Sequence, residues 1–214
     1  MPNSAPRPTA HHDAVRQLIR AGGEIVDSGL ALASAGNLSV RLDDDRFVVS
    51  ASGTWLNRFD EDSFTVMTLA GDVVGGAPRP SSEWKLHQRA YLARPDVGSV
   101  VHVHPAHAIL LDAMRVPVRL ITLDHAFYVA SVGRTPYYPN GSDELADTAA
   151  EQLRTHNCLI MGNHGSTTVG DDLDMALRRA LNLENAAEMT YRALVAGRDD
   201  LDFPWESEPH LHHA

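Results

Sequence analysis

Gly98-Ser99-Val100-Val101-His102-Val103-His104-Pro105 reads as a buried strand that runs into the first turn of a helix. Three β-branched valines suit a pleated, buried surface, and proline is favoured at the opening position of a helix. A strand that hands over directly to a helix places the chain in the α/β class. On such a strand, side chains two residues apart share a face, so His102 and His104 present two imidazoles side by side. A third ring from the distant loop Asn163-His164-Gly165 would complete a tripod. Three neutral nitrogen ligands with a fourth position open is the arrangement of a catalytic zinc.

Working outward, Val15, Leu18, Ile19, Ile25 and Val26 recur at helical spacing up to Gly29, a suitable stop. Short strand-like runs follow at Asn37–Leu42, Arg46–Ser50, Phe64–Thr68 and Gly71–Val74. The polar turns Asp43-Asp44-Asp45 and Ala70-Gly71-Asp72 between them predict antiparallel hairpins. Helices are expected over Ser82–Arg94, ended by Pro95, over Asp143–Thr155 and over Asp172–Val195. Further strands are expected near Arg119–Leu123, Cys158–Met161 and Ser166–Val169. Residues 1–10 are proline-rich and expected to be disordered. One domain then spans 11–197, and an acidic, aromatic tail covers 198–214.

Composition excludes several function classes. A chain of 214 residues suits one sizeable core, and 43% hydrophobic with 21% charged residues is ordinary for a globular protein. A formal net charge of −10 argues against nucleic acid, because no basic stripe is available to displace counterions. No apolar run is long enough for a membrane span, and the N-terminus carries no apolar leader segment. Cys158 is the single cysteine, which rules out an internal disulfide and points to the cytoplasm.

Twelve histidines need weighing before any is taken as a ligand. His11, His12, His210, His212 and His213 lie near the termini and read as solvated. His87 and His156 fall on expected helices, where a surface or partly satisfied role fits better than metal binding. His107 and His125 are ambiguous. Three small polar turns add weight to the His-x-His pair. In Arg79-Pro80-Ser81-Ser82-Glu83-Trp84, two serines stand at a helix N-terminus, which is equally an N-cap and an anion site. Ser34-Ala35-Gly36-Asn37-Leu38-Ser39 and Ser50-Ala51-Ser52-Gly53-Thr54 each let backbone N–H groups approach an anion, although either alone could be an ordinary connection.

Taken together, Gly36-Asn37-Leu38-Ser39, Ser52-Gly53, Pro80-Ser81-Ser82-Glu83-Trp84, His102-Val103-His104 and Asn163-His164-Gly165 resemble the class II aldolases of the aldolase/adducin superfamily, in particular those acting on L-fuculose 1-phosphate. The resemblance implies a three-layer α/β/α fold on a mainly antiparallel central sheet, and a homotetramer with active sites near subunit interfaces. It implies that His102, His104 and His164 ligate zinc, with manganese or cobalt as alternatives. Gly36, Asn37, Ser52, Gly53, Ser81 and Ser82 match the pocket for the phosphate of a sugar substrate, and Glu83 matches the acid/base carboxylate. The implied reaction is cleavage of a ketose 1-phosphate, either L-fuculose 1-phosphate or a 5-deoxypentulose 1-phosphate, to dihydroxyacetone phosphate and an aldehyde.

One departure bears on the reaction. The family's aldolases use a tyrosine from a neighbouring subunit to protonate the aldehyde-side oxygen, and Arg119–Leu123 has none where it is due. Tyr128 is the candidate for that role, with His125 as the other choice. Related members epimerise pentulose phosphates at C4, dehydrate sugar phosphates or decarboxylate phosphorylated keto acids with the same metal site. Adducin-type members keep the fold as an assembly module without the metal, a reading that the three histidines, Glu83 and both serines weigh against.

Overall fold

The computed structural model describes residues 10–208 and 210. Its elements are α1 (Ala10–Asp27), β1 (Asn37–Arg41), β2 (Arg46–Ser50), β3 (Phe64–Thr68), β4 (Val73–Gly76), α2 (Trp84–Ala93), β5 (Ser99–Val103), α3 (Ala106–Ala113), β6 (Val132–Thr135), α4 (Asp143–Leu153), β7 (Cys158–Met161), β8 (Gly165–Gly170) and α5 (Leu173–Val195). The disordered segment expected over 1–10 falls, except for Ala10 at the start of α1, outside the described residues, as do His212 and His213.

Eight strands form one sheet in the order β4-β3-β2-β1-β5-β8-β7-β6. Every neighbouring pair is antiparallel except β6 with β7. β5 therefore lies in the middle of the sheet, with β1 on one side and β8 on the other. All five of its residues are buried, which removes each valine side chain from water at a gain of about 1.5–3 kcal/mol. The pleat sorts them. Val101 and Val103 pack with α1 and the start of α5, whereas Val100 packs with α2 and α4. Helices thus cover both faces, and the three-layer arrangement follows from a sheet with two apolar faces.

Helix ends follow local chemistry. Arg94 leaves α2 in extended conformation, as the residue before Pro95 must. Ser142 and Asp172 cap α4 and α5 by accepting from Leu145 N–H and Met175 N–H. α2 has no side-chain cap of this kind on Glu83.

The segment after α3 differs from expectation. No strand forms over Arg119–Leu123, although its apolar residues suggest one. Leu120 instead points into the core around α3 and α5, and the chain winds into a π-helical turn at His125–Val129. His125 makes that turn possible: its Nδ1 accepts from Ile121 N–H and Thr122 N–H, and its Nε2 faces Asn185 Oδ1 at 3.0 Å. The edge strand forms later, at β6, whose Gly133-Arg134 centre carries little strand signal.

Candidate metal centre and anion pocket

His102 occupies the α2-facing side of β5, one residue before the strand ends, and His104 follows just beyond that end. His164 arrives from the turn between β7 and β8, where Asn163 sits in the left-handed region at φ 51°. That strained turn is held from outside. Asn163 N–H donates to the buried carboxylate of Asp112 at 3.1 Å, and Arg134 holds the other oxygen of the same carboxylate. The three imidazoles form a near-equilateral triangle with ring centroids 4.9, 5.0 and 5.1 Å apart. Gly165 makes room for it. A Cβ there would stand 2.5 Å from the Val103 carbonyl oxygen and 2.8 Å from a carbon of the His104 ring.

The rings turn their Nε2 atoms inward. His102 Nδ1 donates to the Ser166 carbonyl at 2.9 Å, which fixes the tautomer and leaves Nε2 as a lone-pair donor. That Nε2 is 3.0 Å from His104 Nε2 and 3.0 Å from Glu83 Oε2. Glu83 Oε1 lies 3.4 Å from His164 Nε2 and has no hydrogen-bond partner despite full burial. Donor atoms of all four residues fall within 4.8 Å of one another.

Electrostatics explains what such a cluster wants. Burial would raise the Glu83 pKa, but the His102 and His164 rings and the Asn37 amide outweigh it and hold the carboxyl well below its usual range. Burial would lower His102, yet the Glu83 carboxylate reverses the sign and raises it. His104 falls to about 4 through burial and repulsion from the other two rings, and His164 falls through burial and repulsion from His102. One positive charge beside Glu83 is favoured, and three are not. Converging lone pairs, a carboxylate and an orphaned buried oxygen fit a divalent cation, and three nitrogens with one oxygen is a donor set that zinc, manganese or cobalt accepts.

A cavity of about 120 Å³ opens beside this cluster, lined by Gly36, Asn37, Ser52, Gly53, Ser81, Ser82, Glu83 and His104 among others. Every residue picked out for an anion pocket therefore lies on one wall system with the candidate metal site. Two backbone hydrogen bonds build it: Ser52 N–H donates to the Arg79 carbonyl and Ser81 N–H to the Ser50 carbonyl, and together they form the Ala51–Pro80 bridge. Gly36, at φ +96°, lies so close to β5 that a Cβ would stand 2.6 Å from the His102 carbonyl oxygen, and only glycine fits. Ser81, Ser82 and Glu83, which lead into α2, line this cavity near the positive end of the helix dipole, and the Ser81 hydroxyl accepts from Glu83 N–H at 3.2 Å.

Other sequence candidates stand elsewhere. Tyr128 lies half-buried on the π-helical turn, where its carbonyl accepts from Arg179, and is not brought to the histidine cluster within the chain. His125 has both ring nitrogens engaged in holding its own loop. His107 opens α3 and pairs with Glu184 at 2.8 Å, and His156 bonds Ser131. A larger cavity of about 940 Å³ between Arg115–Leu120, Ser131–Arg134 and Trp205 contains none of the residues picked out from the sequence. Two contributors escape sequence reasoning. Asp112 shows no signal, since its partner Asn163 is remote in sequence. His87, expected at a surface or partly satisfied, is fully buried with both nitrogens bonded.

Residues 16–191 match the family described as Class II Aldolase and Adducin N-terminal domain. A 3-oxo-tetronate 4-phosphate decarboxylase of Haemophilus influenzae is 30% identical over 81% of this chain and 85% of its own length. An L-fuculose phosphate aldolase of Methanocaldococcus jannaschii is 30% identical over 84% of this chain and 97% of its own. A solved L-fuculose 1-phosphate aldolase superposes with a TM-score of 0.84 at 27% identity, covering 94% of this chain and 95% of that one.

Proposed function

The chain belongs to the class II aldolase and adducin family, whose aldolases are lyases, and we propose that it is a metal-dependent aldolase cleaving a ketose 1-phosphate to dihydroxyacetone phosphate and an aldehyde. The observation that carries this reading is one small cavity in which a polar, glycine-containing anion pocket meets Glu83 and the ligand His104. L-fuculose 1-phosphate and 5-deoxypentulose 1-phosphates are the proposed substrates, and zinc the proposed metal.

In this mechanism the turns at Gly36-Asn37, Ser52-Gly53 and Ser81-Ser82 take the phosphate, helped by the first turn of α2. Anchoring that end places the C2 carbonyl and C3 hydroxyl at the histidine triangle. A divalent cation held by His102, His104 and His164 would supply Lewis-acid stabilisation of the charge that builds on the carbonyl oxygen. The C4 hydroxyl gives up its proton, the C3–C4 bond breaks, and the electron pair is taken up toward C2. Glu83, after taking up a proton from water, delivers it to C3, and in condensation the carboxylate removes that proton. Tyr128, reaching from a neighbouring subunit of a homotetramer, is the proposed partner for the C4 oxygen. The single buried cysteine, Cys158, supports a cytoplasmic setting.

A second reading has a specific observation behind it. Without a tyrosine over Arg119–Leu123, and with no phenol brought to the cluster within the chain, a reaction that needs no proton transfer at a C4 oxygen suits the site. Decarboxylation of a phosphorylated keto acid is such a reaction, and one 30% identical relative is named for it. The deciding experiment offers zinc-loaded protein L-fuculose 1-phosphate, 5-deoxyribulose 1-phosphate and 3-oxo-tetronate 4-phosphate. Release of dihydroxyacetone phosphate, lost at least about a hundredfold in Glu83→Gln with metal still bound, supports the aldolase. Carbon dioxide from the keto acid with no cleavage of either ketose phosphate replaces it with the decarboxylase.

A further inference from the structure

Behind the histidine triangle, two polar stripes face each other. Glu83, His87 and Tyr91 lie four residues apart at the start of and along α2, and Asn37 and Ser39 lie two apart on β1. Four helical residues advance about 6 Å and two strand residues about 6.8 Å, so the stripes keep step. The result is a continuous chain of hydrogen bonds, with no member more than 5% exposed.

With a neutral His87 ring, only one assignment of protons satisfies it. The Glu83 carboxylate can only accept, so Asn37 Nδ2 donates to its Oε2 at 3.0 Å. Asn37 Oδ1 is thereby turned to His87 and accepts from Nε2–H at 2.5 Å. His87 Nδ1 is left to accept from the Ser39 hydroxyl at 2.7 Å, and Ser39 accepts from the Tyr91 hydroxyl at 2.7 Å. Every donor points toward Glu83. Burial pushes the His87 pKa down to about 3, so the ring adds no second charge beside the triangle.

We propose that His87 is a positioning residue: its Nε2–H tautomer, fixed by Ser39 and Tyr91, holds the Asn37 amide with its NH2 toward Glu83 and so sets where the acid/base carboxylate stands. An Asn37 amide without that anchor is free to flip. Its oxygen would then face the Glu83 carboxylate, two acceptors at hydrogen-bond distance, and Oε2 would leave its place beside His102. The inference rests on the proposed function only for the role of Glu83. The tautomer and the order of donors stand without it.

The test uses zinc-loaded full-length protein with His87→Gln, which keeps an N–H donor, His87→Leu, which has none, and Ser39→Ala. Removing outer partners of a metal site costs about 10–100-fold. His87→Leu should therefore lose kcat in that range with KM within about threefold and metal content unchanged, while His87→Gln recovers most of it. Full kcat per metal-loaded chain in His87→Leu, with only a lower Tm, would overturn the proposal, as would a His87→Gln no better than His87→Leu. Should His87→Leu fail to fold, Ser39→Ala and 15N spectra of histidine-labelled protein decide. The wild-type His87 should be Nε2-protonated at neutral pH, and Ser39→Ala should mix the tautomers and lower kcat a few-fold. A doubly protonated or Nδ1-protonated wild-type ring overturns the proposal. If wild-type protein turns over no sugar phosphate, the substrate reading falls while the spectrum still judges the tautomer.

Discussion

His102 and His125 are both fully buried on the same scaffold, yet their surroundings differ in kind. His125 has a partner at each ring nitrogen: two backbone N–H groups at Nδ1 and the Asn185 oxygen at Nε2. His102 has only Nδ1 settled, on Ser166, and turns Nε2 toward another imidazole and a carboxylate. The first ring completes a network and ends there. The second is one of several lone pairs aimed at a common point, an arrangement that costs energy until a cation takes it up. Burial alone does not mark a functional histidine; what its second nitrogen faces does.

That contrast can be broken most severely at His102. His102→Ala should leave the folded protein with no metal after dialysis. Turnover should fall about a thousandfold or more, equivalent to several kcal/mol of lost charge stabilisation. Metal analysis beside kinetics checks it, and retained stoichiometric metal would show that the triangle is not the site. His125→Leu should give the reverse pattern. It strands the Ile121 and Thr122 N–H groups and should cost about 2–4 kcal/mol of unfolding free energy, with metal content at the wild-type level, read from denaturant titration and metal analysis.

The smallest effect sharpens the comparison through pH. His87 titrates at about 3 when folded against 6.5 as the unfolded reference. Between those values the unfolded chain binds a proton that the folded chain refuses, so acidification removes stability. His87→Gln lacks this linkage. Its stability relative to wild type should therefore improve by about 2 kcal/mol between pH 7 and pH 5, measured by urea titration of metal-loaded protein at both pH values. An unchanged gap would mean that His87 is protonated in the fold.

Sequence reasoning picked out the parts of the candidate site that are written in local motifs. The β5 run with its two histidines, the Asn163-His164-Gly165 turn and the Ser52-Gly53 and Ser81-Ser82 turns are each contiguous, and the fold carries all of them to one place. It failed where the signal is tertiary. Leu120 and Ile121 look strand-forming, but the pull of the α3–α5 core and the His125 cap direct them into an irregular loop. β6 is short and contains Gly133, and it exists because β7 offers a parallel edge. His87 sits on an amphipathic helix like any surface residue. Only its step of four from Glu83 and Tyr91, set against the step of two between Asn37 and Ser39, betrays a buried polar seam, and that match cannot be weighed before β1 and α2 are known to touch.

The absent Cβ at Gly36 has a consequence for how this scaffold can be altered. With the His102 carbonyl 2.6 Å from where that atom would be, and with the Asn37–His87–Ser39 seam beneath, the inner wall of the cavity tolerates almost no substitution. Ser34, Thr54 and Asn140 line the same cavity outside that constraint, so any retuning of the anion it holds starts with them. A combinatorial library spread over those three positions would alter which anionic end group is held, and one spread over Gly36 and Asn37 would mostly return dead protein.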